Sequence, residues 1–339
     1  MRKGWFFLGC LLLLLSGCAG TPQSREAGST AIVGVLGVEP KQDGIQIFAA
    51  AEGREGEDPA MYRSWGETTA AAVEALTSSG DRIVSCAHVE HLLLTENGAE
   101  ALPEVLSYAF QVPQQSTETQ LWMVRGNSLA GSFSGDSDPA RRMSVLKAAG
   151  KDRARFSPVT LREAASALAG GEALLIPGLE ESEQGLSYLG LALYRKGEVL
   201  EWLTGSSALG ASLLKGDRVH WTGSLGKGSM SLQSTGCRVV PLFQEGTLTG
   251  LSIHCGLEGV ATGGWDGVED THVLEQETAR AMEEALAVMQ RAGTDGAGLK
   301  ERAGLNWPLQ WQRLSSQWEE AFPDLEAEVS VTITIAERQ

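Results

Sequence analysis

Cys18 is the side chain in this sequence best placed to do chemistry. It closes the segment Leu15-Ser16-Gly17-Cys18, the order of small residues and cysteine in the bacterial lipobox. In that pattern the thiol takes a diacylglycerol through a thioether, and cleavage before it makes Cys18 the first residue of the mature chain. The flanks agree: Arg2 and Lys3 precede an apolar run from Trp5 to Leu15, the layout of an export signal. Eleven residues fall well short of the roughly 20 needed to span a bilayer core. Cys10 is a poorer candidate, with Phe7 and Leu8 upstream and too little apolar sequence before it. Each buried methylene contributes about 0.8 kcal/mol, so a diacyl group anchors without help from the polypeptide.

Three further cysteines remain in the body: Cys86, Cys237 and Cys255. Cys237 and Cys255 lie symmetrically about Gly246, inside Gln244-Glu245-Gly246-Thr247, and their flanks read as strands. A hairpin turning at Gly246 puts them face to face. Both a cross-strand disulfide and two reduced core cysteines fit that placement. No cysteine or histidine spacing matches a zinc site.

Other candidate chemistry fails on spacing. His88 and His91 flank Val89-Glu90, whereas a zincin needs His-Glu-x-x-His. They share a face only on a helix, and this segment leads out of a strand. His220, His254 and His272 stand alone in the sequence. Gly131-Ser132-Phe133-Ser134-Gly135 has phenylalanine where a hydrolase elbow carries its serine. Gly223 to Ser229 looks like a phosphate loop, but Gly228 follows Lys227 where Ser or Thr must reach magnesium. No catalytic, metal or cofactor site is assigned. Among the tryptophans, Trp265 in Gly263-Gly264-Trp265-Asp266-Gly267 is the one expected to be exposed for stacking on a ligand. Trp311 and Trp318 share an apolar helix stripe with Leu314.

The elements that would carry these residues read as follows. Residues 19–30 are small and polar, a tether reaching roughly 40 Å at about 3.5 Å per residue. Ala31–Val38 and Gly44–Ala50 form a hairpin around Lys41-Gln42-Asp43-Gly44. Helices are expected at Thr68–Leu76, Gly98–Phe110 and Thr160–Ala169, with a basic helix before Lys147, and strands at Asp81–Ala87 and Leu121–Val124. The turn-rich, acidic stretch Pro177–Gly185 is read as a link between domains. Beyond it come a hairpin, Leu189–Tyr194 and Val199–Leu203, then strands between about Ser231 and Val260. A long helix over Val268–Ala292 carries Leu274, Thr278, Met282, Leu286 and Met289 on one face. A second helix starts at Pro308 and carries Trp311, Leu314, Trp318 and Phe322 until Pro323 stops it. Glu328–Ala336 alternates as a half-buried strand, with Val329, Val331, Ile333 and Ile335 inward.

The fold class is therefore α+β, multidomain, with antiparallel or mixed sheets and helices packed on one face. The division expected is a signal over 1–17, a tether over 18–30, an N-terminal domain over 31–178 and a C-terminal domain over 186–339. Residues 186–227 are a candidate small middle domain. The chain holds 27 basic and 43 acidic residues, a formal charge of −16. Losing Arg2 and Lys3 with the signal leaves 25 against 43, or −18. Such a body is repelled by nucleic acid and by anionic lipid.

These features resemble the Ger(x)C spore germination lipoproteins. The C-terminus carries most of the likeness: Asp295-Gly296, Leu299-Lys300, Trp307, Trp311, Trp318-Glu319-Glu320-Ala321-Phe322-Pro323, then the alternating strand. Trp65-Gly66-Glu67-Thr68 before the alanine-rich helix, His88 ahead of Leu92-Leu93-Leu94, Ala31–Val38 and Leu189–Leu203 agree more loosely. Ala19-Gly20 replace the Trp-Asp common after the family's lipid cysteine, and Ala336-Glu337-Arg338-Gln339 replaces its usual ending. The resemblance implies a non-enzymatic germinant-receptor subunit without cofactor, held by its lipid (palmitate among the acyl chains) on the extracytoplasmic face of the spore inner membrane. Its implied partners are two integral membrane subunits, and nucleic acid is not among them. The alternative class is an extracytoplasmic lipoprotein that binds or hydrolyses a small molecule or cell-wall fragment.

Overall fold

The computed structural model describes residues 30–51, 59–78, 82–112, 115–134, 138–153, 156–183, 185–225, 228–262, 265, 267–308, 311–312 and 315–336. The signal, Cys18 and the tether up to residue 29 lie outside the described residues.

The first sheet begins with the expected hairpin. β1 (Thr30–Lys41) turns into β2 (Gly44–Ala51) with Lys41 opposite Gly44, and β3 (Ala60–Gly66) joins β2. β4 (Ile83–Ser85) and β5 (His91–Thr95) pair with β1 in parallel. β6 (Gln120–Val124) is parallel to β5, and β8 (Leu174–Ser182) to β6. β7 (Val159–Thr160) pairs antiparallel with β6. β9 (Gly185–Arg195) and β10 (Glu198–Thr204) complete the sheet as antiparallel neighbours. The order is β10-β9-β8-β6-β5-β1-β2-β3, ten strands in all with β4 and β7 as side pairings.

Central parallel strands are buried on both faces, so their sequences are apolar throughout rather than alternating. Successive residues nonetheless enter different cores. Leu92, Leu94, Leu121 and Met123 belong to one, and Leu93, Trp122 and Val124 to the other. The first core is closed by α1 (Thr69–Thr77), α2 (Leu102–Gln111) and α4 (Leu161–Gly170). Local chemistry starts two of them: Thr68 Oγ1 accepts from Ala71 N–H, and Thr160 with Glu163 forms a capping box. On the opposite face α3 (Pro139–Arg153) contributes Ala140, Met143 and Leu146.

The second sheet has the order β11 (His220–Leu225), β12 (Gly228–Gln244), β13 (Thr247–Thr262), β14 (Glu326–Ile335). The β12–β13 turn puts Glu245 at φ 51° and Gly246 at φ 85°, two consecutive left-handed residues that match the twist of the strands. α5 (Gly205–Lys215) and α6 (Gly267–Arg291) touch both sheets and share one continuous core with them. The other face of the second sheet is exposed: Gln233, Arg238, His254 and Glu258 point to solvent.

Several expectations need correction. The α+β class with mixed sheets holds; the detail that differs is that the ten-stranded sheet is covered on both faces, while the second sheet carries helices on one. Pro177–Gly185, read as a link, lies in the β8–β9 hairpin, with Ser182 opposite Gly185. The change of sheet comes later, across α5. β14 runs parallel to β13, so the second sheet is mixed, one of the two expected forms. The helix expected from Pro308 is not continuous: a 3-10 turn at Ser315–Gln317 leads into α8 (Trp318–Ala321), followed by another at Phe322–Asp324. Leu314 lies outside the described residues. α5 and α7 (Leu299–Asn306) were not foreseen.

Candidate functional site

The Asp295 motif forms the most concentrated polar site. Asp295 Oδ1 accepts from Ala297 N–H at 3.1 Å and Oδ2 from Lys300 N–H at 2.7 Å, holding the first turn of α7. Gly298 stands at the N-cap with φ 67°, a left-handed position that suits glycine. Protein encloses Asp295 so closely that desolvation raises its pKa, with the backbone N–H bonds opposing. It keeps some access, because it opens onto a cavity of about 80 Å³. Arg195 from β9 and Trp318 line the same cavity, and Arg195 Nε and Trp318 Nε1 are buried without a partner among the described residues. Arg195 pairs with Glu319, whose carboxyl it holds below the usual carboxylate range. Sequence similarity singled out Asp295, Trp318 and Glu319; Arg195, about a hundred residues away, carried no sequence signal.

Cys237 and Cys255 are register partners across β12 and β13, on the core side of the sheet. Both are free thiols in the structure, as is Cys86. Burial pushes the Cys255 thiol up to about 12, with Cys237 adding to it. Cys237 is raised by burial and partly relieved by Arg302. Burial pushes Cys86 up to about 11.

His88 and His91 are not a pair. His88 is exposed, whereas His91 is 2% exposed and accepts from Trp122 Nε1–H at Nδ1, 3.2 Å away. Among the described residues no cluster suited to a metal forms. Ser132 gives no nucleophile elbow; its N–H and hydroxyl both donate to Glu181 Oε1, at 2.9 and 2.6 Å. Gly223 and Leu225 sit opposite Met230 and Gly228 in the β11–β12 ladder, and Gly226 and Lys227 of the loop lie outside the described residues. His220 Nε2 lies 2.7 Å from Ser231 Oγ on the open face, but the described residues place no carboxylate on the imidazole's other nitrogen. Trp265 is half-buried and donates to Thr271 Oγ1 at 3.3 Å; among the described residues the exposed tryptophans are Trp65 (48%) and Trp307 (40%). Trp318 is fully buried, edge-on to Trp311 and stacked on Phe322.

Two larger clefts exist, each of about 580 Å³. One lies between Arg141 and Arg142 of α3 and Glu181 of β8. The other, lined by Tyr188, Leu209 and Trp221, lies where β9, α5 and β11 meet.

Residues 189–338 match the family described as spore germination B3/GerAC like, C-terminal. A solved structure titled "Crystal Structure of the GerBC protein" superposes with a TM-score of 0.59 over 89% of this chain and 97% of that one, at 13% identity. No curated protein sequence matches the chain. The match over residues 189–338, together with the shared fold, supports a Ger(x)C family spore germination protein. At 13% identity the GerBC likeness speaks for the fold alone. The family is one of germinant-receptor C subunits. The matched region starts inside β9, so it includes Arg195, Asp295, Trp318, the cysteine pair and β14, while Gly170 to Ala173 on the cavity's other side lie before it.

Proposed function

We propose that this chain is the lipid-anchored, non-enzymatic subunit of a spore nutrient germinant receptor. It assembles with two integral membrane subunits on the extracytoplasmic face of the spore inner membrane, and the complex couples nutrient sensing to germination. The observation that carries the reading is the match of residues 189–338 to the germination family, joined to the lipobox ending at Cys18. Among the described residues no helix is long and apolar enough to cross a membrane, so the acyl chains supply the attachment. The acidic body suits basic loops on the membrane subunits, an attraction that weakens as salt rises.

The test is Cys18→Ala in the native host. Acylation of the wild-type terminus by mass spectrometry, partition into detergent, and loss of both with slower nutrient-triggered germination in the variant are expected. A wild-type terminus without lipid, recovered in a detergent-free supernatant, refutes the anchor. Normal germination after deletion of the whole chain, in a strain without related copies, refutes the receptor role.

A further inference from the structure

β14 is an edge strand whose outer side is open. Two hydrogen bonds fix which backbone groups face outward. Ala336 N–H, just past the strand, donates to Gly259 O on β13 at 2.9 Å, so even-numbered residues bond inward. Ile333 N–H donates instead to Glu275 Oε1 of α6 at 2.8 Å, so odd-numbered residues present their N–H and C=O to the outside. Among the described residues, Glu275 is the one group occupying that edge; the N–H groups of Ala327, Val329 and Val331 meet none.

Proteins usually blunt such an edge with shortness, proline, lysine or a bulge. β14 has none of these. It is ten residues long, and its register with β13 is unbroken from Gly250–Glu326 to Gly259–Ile335. The opposite edge, β11, has six residues. The apolar side of β14 is also incompletely covered: Ala327, Val329 and Val331 are half-buried, and Ile335 is 44% exposed. Acids flank the opening. Glu326 and Glu328 are exposed on the strand, Glu258 lies opposite Thr334, and Glu275 stands beneath.

We infer that β14 is a docking edge for an extended, basic segment of a partner protein, which adds as a fifth strand to this sheet. Main-chain bonds to Ala327, Val329 and Val331 hold it. Its apolar side chains complete the cover over Val329 and Val331, and alternate lysines or arginines meet Glu326 and Glu328. A second copy of this chain is disfavoured as occupant because it brings the same acids and another net charge of −16. The inference stands whether or not the chain is acylated.

The probes are two end-blocked ten-residue peptides, one alternating valine with lysine and one alternating valine with glutamate, tested on the full chain in detergent. The lysine peptide is expected to slow amide exchange at Ala327, Val329 and Val331, and to bind at least tenfold more tightly than the glutamate peptide. Val331→Pro removes an N–H that β13 does not use, so the fold should persist while binding falls at least tenfold. Glu328→Lys alters only an exposed side chain and should narrow the preference between the peptides. Unchanged exchange at saturating peptide, or equal affinity in a folded Val331→Pro chain, overturns the proposal. So does protection of these amides that grows with protein concentration alone, which assigns the edge to a second copy.

Discussion

His91 offers a quantitative test of the packing in the ten-stranded sheet. Its ring is buried on β5, with Nδ1 accepting from Trp122, so the neutral tautomer carries its proton on Nε2. Burial, and then the charge of Lys147, lower its pKa from 6.5 to about 4, against a smaller opposing pull from Glu90. A base whose folded pKa is depressed binds fewer protons folded than unfolded between those values. Its stabilising share is therefore complete above pH 6.5 and is lost as the pH falls toward 4. At about 1.4 kcal/mol per unit, the full loss is about 3 kcal/mol, most of it gone by about pH 4.5. His91→Gln keeps an acceptor near Trp122 Nε1 and removes the titration. Urea unfolding followed by tryptophan fluorescence, from about pH 7 to about pH 4.5, should show the wild type losing about 2–3 kcal/mol more than the variant. Carboxylates titrate in both proteins and cancel in the difference. Equal slopes, or an imidazole that titrates near its ordinary value by NMR, would refute the assigned burial.

Three other predictions concern single positions. A Cβ on Gly210 of α5 would stand 2.0 Å from Ala281 O of α6, so Gly210→Ala should destabilise by about 1–3 kcal/mol. Helix propensity alone predicts a gain of about 1 kcal/mol, so the sign of the change in an unfolding experiment decides. Asp295→Ala orphans two N–H groups at the start of α7 and should cost about 2–4 kcal/mol, with faster amide exchange at Ala297 and Lys300. Retained protection there would contradict the capping role. Burial lifts the pKa values of Cys237 and Cys255, so a bridge between them would form during folding rather than after it. We expect chain folded in an oxidising compartment to titrate only Cys86 of the three body thiols once unfolded, and reduced, prefolded chain to keep all three near neutral pH. Three thiols in the first sample would reject the bridge.

What the sequence disclosed, and what it hid, follows from range. The β1–β2 and β12–β13 hairpins were legible because the turn residues and the strand pattern lie within a few positions of each other. α6 was legible because Leu274, Met282, Leu286 and Met289 repeat over many turns. α5 opens with Gly205-Ser206-Ser207 and contains Gly210, a composition that argues for a loop. Gly210 is there because α6 passes so close that no side chain fits, which only the tertiary structure reveals. The stripe Trp311, Leu314, Trp318 and Phe322 was taken for one helix face. Phe322 and Trp318 do pack together, but from a segment in which 3-10 turns flank a single helical turn.

The polar contacts that organise the fold are non-local. Glu39 on β1 is 1% exposed and holds the chain at Ser128 and Leu129, accepting from Leu129 N–H at 2.8 Å. Arg195 meets Glu319 across the Asp295 cavity. Glu275, an unremarked position on the polar side of α6, reaches the edge of β14. None of these pairs is spaced by a helix or strand period, so pattern reading could not join them. The alternation of β14 shows why this matters for function. Period two placed Val329, Val331, Ile333 and Ile335 inward, and Ile333 is buried while Ile335, at the strand's end, is 44% exposed; periodicity is silent on whether a strand has one neighbour or two. Only the pairing of Ile333 N–H with a side chain instead of a strand shows that the sheet ends at β14, and an ending that is apolar, unbroken and flanked by acids leaves room for a basic strand.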